Sequence, residues 1–535
     1  MKHHNLCIIL IFALLFAGCR REAILSATET AVSTTSPTPI SAENGTRATA
    51  VPPTSQPADN PTVTPSPEQP QVVHPIPPSS LTILYTNDEH GWMEGITPDQ
   101  GAAQLMGLWH TEAEYDPDGD FLLLSGGDMW TGPAISTWFD GESMVEVMNS
   151  MGYAAAAVGN HEFDFGLDVL QLRADQANFP FLSANIRTKA DGTIPTNIGI
   201  EPYTLVTVND IDVGIIGLTT QLTPQTTNPI NIVDFEFIDY ETALREIVPE
   251  VKEAGAELIV VPAHICQAEL NRLAETAVDL GIHMLGGGHC NELFADEVAG
   301  VVLLEGGSSM SSYAFAEFAV DSVTGEVTAV DYGTRTNTGG EPDPEIETIV
   351  AEWQAATSDE LAVVIGYSEK GLDRRSEAMQ QLITESWLWA YPTADVAITN
   401  LGGMRAPLPP GDIELADIIT IMPFNNVIIE LTVTGDDLLR ILARSVGDAI
   451  GGVHQVGTAW VLSNSGVAIE PDTTYNLLVN DFMYAGGDDY TILAEADPNA
   501  YDTGIDWRQP VIDWLVNQGS TVDNPIDDAI ATLGQ

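Results

Sequence analysis

The stretch AVGNHEFDFG, residues 157–166, changes abruptly from a small apolar run to a cluster of polar side chains. In α/β proteins such a change marks the end of a buried strand, where a rigid strand aims residues carried by the following loop. The polar residues are Asn160, His161, Glu162 and Asp164. Taken alone, the stretch fits two interpretations equally well. It is either a helix start, with Asn160 as cap and acids that complement the helix dipole, or a site of chemistry.

Apolar runs that each end in a polar or glycine-rich turn recur between residues 81 and 310. They are LTILYT (81–86), FLLLS (121–125), AAAAV (154–158), DVGIIG (212–217), ELIVVPA (257–263), IHMLGG (282–287) and VVLLEGG (301–307). Helical patterns separate several of them, at residues 142–151, 167–177, 241–254 and 268–280. Continuous apolar strands that alternate with helices predict buried sheets covered by helices on their faces. The predicted fold class is therefore α/β.

The length of 535 residues exceeds what one ordinary core accommodates, so at least two folded domains are expected. The segment PEIETIVAEWQAAT, residues 344–357, predicts one helix ahead of a second region with its own strands and helices. We therefore expect a first domain at residues 81–340, a linker helix at 341–360 and a second α/β domain at 361–535.

The N-terminus has the basic start, the apolar run and the small residues of a secretory signal, which we assign to residues 1–19. Its FAGC ending resembles the lipobox of bacterial lipoproteins, in which cleavage leaves Cys19 lipidated; ordinary secretion is the alternative. Residues 20–80 are rich in Ser, Thr and Pro, a composition that cannot bury a core and predicts a disordered tether. These segments predict folded domains outside the cytoplasm, lipid-anchored to the outer face of the cell membrane or else secreted.

Acidic residues outnumber basic ones 77 to 18, which gives a formal net charge of −59 at pH 7. Such a surface repels phosphate backbones and argues against polymeric DNA or RNA as a partner. A small anionic substrate is compatible with this charge if metal ions or a few arginines reverse the sign locally.

Candidate metal ligands follow five of the predicted strands. They are Asp88 and His90 in TNDEHG, Asp128 in GGDMWTG, Asn160 with His161 in GNHEFD, His264 in PAHICQ and His289 in GGGHCNE. An isolated histidine is more often a hydrogen-bonded core or surface group, but here the pattern repeats from strand to strand. Asp, Asn and His without a thiolate suit Zn²⁺, Mn²⁺ or a similar divalent ion. If two ions share one carboxylate, Asp128 is the natural bridge.

In these motifs the chain resembles the calcineurin-like metallophosphoesterases, in the form found in bacterial 5'-nucleotidases and UDP-sugar hydrolases. Three later segments, TNLGGMRAPLPPGDI (399–413), IMPFNN (421–426) and NDFMYAGGDDY (480–490), resemble the nucleotide-binding segments of that family's second domain. The resemblance covers roughly residues 81–495. It implies an N-terminal four-layer sandwich of two sheets flanked by helices and a C-terminal α/β substrate-binding domain.

The resemblance also implies two divalent metal ions and a catalytic histidine. One ion would be held by Asp88, His90 and Asp128, and the other by Asp128, Asn160, His264 and His289. Asn291 stands where the family commonly has a further ligand, His or Gln, so the first ion would be held more weakly or completed by water. His161 would stabilise the transition state and assist the leaving oxygen, and Asp164 would orient its imidazole. Glu162 is interpreted as a bystander.

The substrate would be held by the second domain. The implied residues are Asn400, Arg405 and Asp488 for substrate contacts, Phe424 and Phe482 for a sandwich around the base, and Arg374 and Arg375 as further phosphate-binding candidates. Each has a plain structural interpretation as well, since a glycine-rich loop can be only a turn and phenylalanines are often core residues.

Two cysteines, Cys266 and Cys290, each lie close to a histidine that would hold the same metal. Their backbones could therefore be close, and an extracellular setting permits a disulfide between them. Two reduced buried thiols are equally compatible, because alternation along a strand can point the thiols apart.

The expected function is metal-dependent hydrolysis of nucleoside 5'-monophosphates to nucleoside and phosphate outside the cytoplasm. Hydrolysis of 2',3'-cyclic nucleotides or of UDP-sugars on the same scaffold is the alternative. A tethered lipoprotein that captures nucleotides without turnover is a further alternative from another class, but such a binder needs neither the metal ligands nor the pair His161 and Asp164.

Overall fold

The computed structural model describes residues 79–97, 99–321 and 324–533, and residues 74–535 form one compact unit. The predicted signal segment at 1–19, the lipidation site Cys19 and all but the last two residues of the tether at 20–80 lie outside the described residues. Within the described ranges, no helix combines the length and the apolar character that a membrane crossing requires.

The first region, up to residue 336, contains strands that are numbered here in chain order. They are β1 Ser79–Thr86, β2 Phe121–Ser125, β3 Tyr153–Ala157, β4 Phe181–Leu182, β5 Ile186–Thr188, β6 Ile200–Glu201, β7 Tyr203–Val208, β8 Ile211–Ile216, β9 Leu218–Thr219, β10 Phe235–Phe237, β11 Leu258–His264, β12 Met284–Gly286, β13 Leu293–Val298, β14 Val301–Gly306, β15 Ser312–Val320 and β16 Val327–Thr336. The α-helices of this region are Ala102–Glu112, Ala134–Thr137, Glu142–Met151, Leu167–Gln176, Thr223–Thr226, Tyr240–Glu253 and Gln267–Leu280.

Most of these strands form two large sheets. The first sheet has the order β16-β15-β1-β2-β3-β4-β6, and the second has the order β13-β14-β12-β11-β8-β7, with β9 paired to β11. Strands β1, β2 and β3 are parallel neighbours, as are β8, β11 and β12. Parallel neighbours point their carboxyl ends to the same edge of a sheet, and in open α/β sheets this edge carries the ligand site.

Alternation of side chains along the strands produces the layers. Leu122 and Leu124 of β2 point inward and pack with residues of the second sheet such as Val260, whereas Leu123 packs on helices at the outer face of the first sheet. On the second sheet, Val261 likewise points outward to the helices Tyr240–Glu253 and Gln267–Leu280. Both faces of the central strands β2, β11 and β14 are therefore buried, which accounts for their continuous apolar sequences. The predicted four-layer sandwich of two sheets flanked by helices is confirmed.

The second region begins with the helix Pro344–Leu361 and has a separate sheet. Its strands are β17 Val364–Ser368, β18 Val396–Thr399, β19 Gly411–Glu414, β20 Val427–Thr434, β21 Ala449–Gly451, β22 Val453–Val456, β23 Ala459–Leu462, β24 Thr474–Asn480 and β25 Tyr501–Asp506. Its further α-helices are Glu377–Ala390, Leu415–Ile421, Gly435–Arg444, Asp481–Tyr484, Thr491–Ala496, Gln509–Gln518 and Asp527–Ile530. The main sheet has the order β21-β18-β24-β20-β25, and β17-β19 and β22-β23 form separate pairs.

The helix Pro344–Leu361 spans most of the segment for which the sequence predicts a linker helix. Its start follows from local chemistry, because the Asp343 carboxylate accepts hydrogen bonds from the backbone N–H groups of Glu345 and Ile346, and Pro344 occupies the first turn. The division into domains at 341–360 stays a prediction, since residues 74–535 form one compact unit.

Candidate metal centre and substrate cavity

The candidate metal ligands meet at the carboxyl ends of five strands from the two sheets of the first region. Asp88 and His90 follow β1, Asp128 follows β2 and Asn160 follows β3, whereas His264 ends β11 and His289 follows β12. They form two clusters that share Asp128, and the ligand atoms of each cluster lie within 4.8 Å of one another. The clusters are Asp88 with His90 and Asp128, and Asp128 with His264 and His289.

Two of these side chains each leave one polar atom unsatisfied: the buried atoms Asp88 Oδ1 and Asn160 Oδ1 have no hydrogen-bond partner. The other polar atom of each is held, since Asp88 Oδ2 accepts from the His289 backbone N–H at 2.9 Å and Asn160 Nδ2 donates to the Thr226 carbonyl at 3.2 Å. His264 Nδ1 lies 2.8 Å from the Gly126 carbonyl, which leaves Nε2 facing Asp128.

Buried polar atoms without partners are costly, so such a set calls for an explanation such as a bound ion. Carboxylate oxygens, an amide oxygen and imidazole nitrogens are donors that divalent metals accept. The residues present therefore fit the divalent metals that the fold family implies.

Charge is concentrated at the shared carboxylate. His264 Nε2 lies 2.9 Å from Asp128 Oδ2. Burial raises the pKa of Asp128, but His264 and His161 outweigh it and hold that pKa well below its usual range. Burial lowers the pKa of His264, and the nearby Asp128 reverses this effect and raises it to about 10. Burial raises the pKa of Asp88 to about 6. The charge of His264 opposes this shift, and the charge of Asp128 adds to it. Two buried carboxylates this close favour a cation between them.

The backbone of the ligand loops is unusual. Asp88, His90, Asp128, His289 and Asn291 all have positive φ angles, from 47° to 73°. Residues other than glycine adopt this left-handed conformation only where the surrounding structure imposes it, and such positions cluster at functional sites. Close packing adds to the constraint. Gly159 lies so near the Asp128 side chain that a Cβ atom at this position would be 2.2 Å from Asp128 Oδ1.

His161 and Asp164 form a buried pair beside the metal clusters. His161 Nδ1 lies 2.7 Å from Asp164 Oδ2, and the backbone N–H of His161 donates to Asp128 Oδ1 at 2.8 Å. Burial lowers the pKa of His161, but Asp164 and Asp128 outweigh it and raise the pKa above its usual value. The carboxylate on Nδ1 fixes the ring so that Nε2, 4.0 Å from Asp128 Oδ2, is turned toward the centre. The arrangement suits a proton donor.

Glu162 has a structural role, and its interpretation as a bystander is wrong. Its side chain is fully buried and accepts hydrogen bonds from the backbone N–H groups of Gly159, Met129 and Asp128, at 2.6, 2.8 and 3.0 Å. Burial raises the pKa of this carboxyl to about 7. Glu162 thus ties the loop that carries Asp128 to the loop that carries Asn160.

A cavity of about 500 Å³ adjoins the metal clusters. Both regions line it, and the structure brings most of the predicted site residues to its wall. They are Asp88, His90, Asp128, Asn160, His161, Asp164, His289, Asn291, Asn400, Arg405, Phe424, Phe482 and Asp488. His264 is fully buried next to Asp128 and does not line the cavity.

Arg405 reaches the metal centre from the second region. Its Nη2 lies 3.1 Å from His90 Nε2, while His90 Nδ1 lies 3.1 Å from the Thr131 carbonyl. If Nδ1 of the neutral ring donates to the Thr131 carbonyl, the lone pair is on Nε2, the nitrogen that faces the guanidinium and the metal cluster. Burial lowers the pKa of His90 well below its usual value, and the charge of Arg405 lowers it further. The neutral form of His90 is the form that binds metals.

The two phenylalanines have different surroundings. The Phe424 ring stacks on the His161 ring with a centroid distance of 5.6 Å and an interplanar angle of 28°, and the guanidinium of Arg405 lies 5.9 Å from the centroid of the Phe424 ring. Phe482 instead packs on its own turn, where a Cβ atom at Gly487 would lie 2.3 Å from its ring. Both line the cavity, so a role in holding a base remains a prediction.

Asn400 and Asp488 both line the cavity and contact each other, but the two arginine candidates do not reach the cavity. Asn400 Nδ2 donates to Asp488 Oδ2 at 2.8 Å. Arg374 Nε and Arg375 Nε donate to the backbone carbonyls of Met404 and Leu401, both at 2.9 Å. The arginines thus support the loop that carries Asn400 and Arg405, and neither lines the cavity. Burial, then the two neighbouring arginines, lowers the pKa of Arg374 to about 10.

Three further cavity residues, Thr227, Asn228 and Asp481, are absent from the sequence-based set. Asn228 Nδ2 donates to Asp481 Oδ2 at 3.0 Å, which joins the first region to the second beside Phe482. Thr227 and Asn228 could have been identified from their place in the chain. They follow β8 and β9, whose carboxyl ends lie at the same edge as the loops that carry the candidate ligands.

Cys266 and Cys290 form a disulfide with a Cα–Cα distance of 5.2 Å. Of the two alternatives that the sequence leaves open, the structure has the bonded one. The bond joins the loop after His264 to the loop that carries His289 and Asn291.

Comparisons with known proteins agree with this site. Residues 355–495 match the family described as 5'-nucleotidase, C-terminal domain. A 5'-nucleotidase of Vibrio cholerae is 27% identical over 514 residues, covering 84% of this chain and 91% of that protein. A 5'-nucleotidase of Bos taurus is 27% identical over 496 residues, covering 78% and 85%. The crystal structure of a 5'-nucleotidase precursor from Thermus thermophilus shares the fold, with a TM-score of 0.70 at 24% identity over 83% of this chain and 97% of that one. The resemblance inferred from the motifs is confirmed.

Proposed function

We propose that this chain, which is similar to the 5'-nucleotidases, hydrolyses nucleoside 5'-monophosphates to nucleoside and phosphate with two divalent metal ions. The observation that carries the proposal is one cavity in which two clusters of candidate metal-binding side chains, the half-buried Arg405 and two phenylalanines come together. Metal clusters alone would suit any phosphoester. The arginine and the aromatic rings add groups that suit a phosphate attached to a base.

In the proposed site, one ion would be held by Asp88, His90, Asp128 and Asn291. The other ion would be held by Asp128, Asn160, His264 and His289. The unsatisfied atoms Asp88 Oδ1 and Asn160 Oδ1 support this assignment. Zn²⁺ and Mn²⁺ suit such a donor set. When bound, two such ions activate water and neutralise the charge of a phosphoryl group during in-line displacement.

The protein's own groups would bind and orient the phosphoester. Arg405 is placed to donate to phosphate oxygens, because its guanidinium reaches His90 at the edge of the metal clusters. His161 is placed to hold a proton at Nε2 and to donate it to the leaving oxygen, with Asp164 fixing the ring from the other side. Phe424 and Phe482 would stack on the base, and Asn400 with Asp488 would contact the sugar or base.

We also propose that the enzyme works outside the cytoplasm. The disulfide between Cys266 and Cys290 supports this location, because disulfides persist in oxidising compartments and are rare in the cytosol. The secretory signal at 1–19 and lipidation of Cys19 would place the enzyme at the outer face of the membrane, at the end of the tether at 20–80.

The test is phosphate release from AMP by the purified protein supplied with Mn²⁺ or Zn²⁺. We expect turnover that is lost on chelation and restored when the metal is returned. A parallel series with 2',3'-cyclic AMP and UDP-glucose separates the two alternatives on the same scaffold, each of which predicts a higher kcat/KM for its own substrate than for AMP. Absence of metal-dependent phosphate release from AMP would refute the proposal.

A further inference from the structure

The segment at residues 226–231 makes several hydrogen bonds with the loop GNHEFD. It follows the short helix Thr223–Thr226 and lines the cavity. Three of its contacts fall on that loop: the Thr226 carbonyl accepts from Asn160 Nδ2 at 3.2 Å, Thr227 Oγ1 donates to Asp164 Oδ1 at 2.9 Å, and Asn231 Nδ2 donates to the Phe163 carbonyl at 2.8 Å.

The hydroxyl of Thr227 completes the hydrogen bonding of the Asp164 carboxylate. One oxygen, Oδ2, lies 2.7 Å from His161 Nδ1, and the other, Oδ1, accepts from Thr227 Oγ1. A carboxylate held through one oxygen can rotate about its Cβ–Cγ bond, whereas two bonds on different oxygens fix its plane. The plane of the carboxylate in turn sets the orientation of the imidazole that it binds.

Thr227 is itself held firmly. Its side chain is almost fully buried, and its backbone N–H donates to the Thr223 carbonyl at 3.1 Å at the end of the short helix. The backbone carbonyl of Asp164 also accepts from Asn231 Nδ2, at 3.2 Å. Both ends of the Thr227–Asp164 hydrogen bond are therefore anchored to the same segment, which makes the bond suited to positioning.

We propose that Thr227 is a positioning residue for the reaction: it fixes the Asp164 carboxylate and, through it, the ring of His161. This inference rests on the catalytic role proposed for His161. It assigns to Thr227 a contribution to the chemical step and none to substrate binding, although Thr227 lies at the cavity wall.

The test compares Thr227→Val, which keeps the shape and removes the hydroxyl, with Thr227→Ser, which keeps the hydroxyl. We expect Thr227→Val to lower kcat for AMP about ten-fold, the low end of the range for groups that orient a catalytic or ligating side chain. KM should stay within about two-fold, because an interaction made only in the transition state affects kcat and kcat/KM alike. Thr227→Ser should restore most of kcat.

A matched control is Thr207→Val. Thr207 Oγ1 also donates to a carboxylate, Asp212 Oδ1 at 2.6 Å, but this pair lies on the edge hairpin of β7 and β8, outside the cavity wall. The same chemical change at this position should leave kcat at the wild-type value. Metal content and the thermal midpoint are measured for every variant, so that loss of metal or of fold is distinguished from loss of positioning.

A double-mutant cycle with Asp164→Asn tests the route. If Thr227 acts through Asp164, adding Thr227→Val to Asp164→Asn should cost less than about two-fold. A full ten-fold further loss, a rise in KM instead of a fall in kcat, or failure of serine to restore activity would overturn the inference and leave the proposed function intact. Wild-type kcat in His161→Asn would instead overturn the catalytic role on which the inference rests.

Discussion

Truncation of the two cavity phenylalanines should separate base recognition from chemistry, and the structure predicts different results for the two. Stacking of a base on an aromatic ring contributes about 1–3 kcal/mol, as measured by truncation, which corresponds to roughly five-fold to 150-fold in binding. Phe482 packs on its own turn at Gly487. We therefore expect its removal to affect only the stacking on the base: Phe482→Ala should raise KM for AMP by about ten-fold or more and leave kcat close to wild type.

Phe424 has a second task, because its ring stacks on His161 at 5.6 Å. Phe424→Ala should therefore raise KM for AMP and also lower kcat, by a further factor of about three to ten, since the packing of aromatic pairs contributes about 0.5–1.5 kcal/mol. On p-nitrophenyl phosphate, which has no base, Phe482→Ala should be close to wild type, whereas Phe424→Ala should still show its loss in kcat.

Steady-state kinetics on AMP and p-nitrophenyl phosphate decide between these results, with circular dichroism of each variant as the check on folding. An unchanged KM for AMP in both variants would refute the reasoning, because neither ring would then hold the base. Equal losses on both substrates for Phe482→Ala, in a protein that is still folded, would show that this ring belongs to the core.

Two substitutions in the GNHEFD loop test the roles given to neighbouring residues. His161→Asn should lower kcat by roughly two to four orders of magnitude, the range typical of general acid–base groups, with metal content near wild type; loss of metal would identify His161 as a ligand. Glu162→Gln removes one of two oxygens that accept three backbone N–H groups, so it should lower metal affinity by roughly 10–100-fold, with activity partly restored by excess Mn²⁺. Wild-type metal content and kcat in Glu162→Gln would show that Glu162 does not support the metal centre.

The parallel core of the fold could be predicted because its strands are buried on both faces. Such strands are continuous apolar runs, and the helices between them end at clear signals. The helix Glu142–Met151, for example, is followed by Gly152, which adopts the left-handed conformation that terminates helices. The antiparallel strands β15 and β16 are absent from the predicted set. The apolar sequence of β15 is interrupted by Glu317, and β16 is largely exposed.

The clustering of the candidate metal-binding residues could be predicted from sequence because each lies at or shortly after a strand end, so the fold carries them to one edge. Residues that support the site could not be predicted in this way. Glu162 accepts hydrogen bonds from backbone groups more than 30 positions earlier in the chain, and Thr227 meets Asp164 across 63 positions. The first contact is made to backbone groups, which are the same in every residue, and the second joins two side chains whose separation in the chain follows no local pattern.

Arg405 shows how the charge of this protein and its proposed substrate can be reconciled. The chain has 77 acidic and 18 basic residues, so a nucleotide approaching it meets an unfavourable potential. Inside the cavity, the half-buried guanidinium of Arg405 lies beside the clusters of candidate metal-binding residues, where a dielectric lower than that of water strengthens its attraction for a phosphate. Burial, opposed by Asp128 and Asp164, lowers the pKa of Arg405, but an arginine remains charged at neutral pH.

Metal-free protein should bind phosphate poorly, because the two buried carboxylates of Asp88 and Asp128 face the same space as Arg405. Bound divalent ions would reverse that balance of charge. We therefore expect phosphate binding to depend on occupancy of the metal centre.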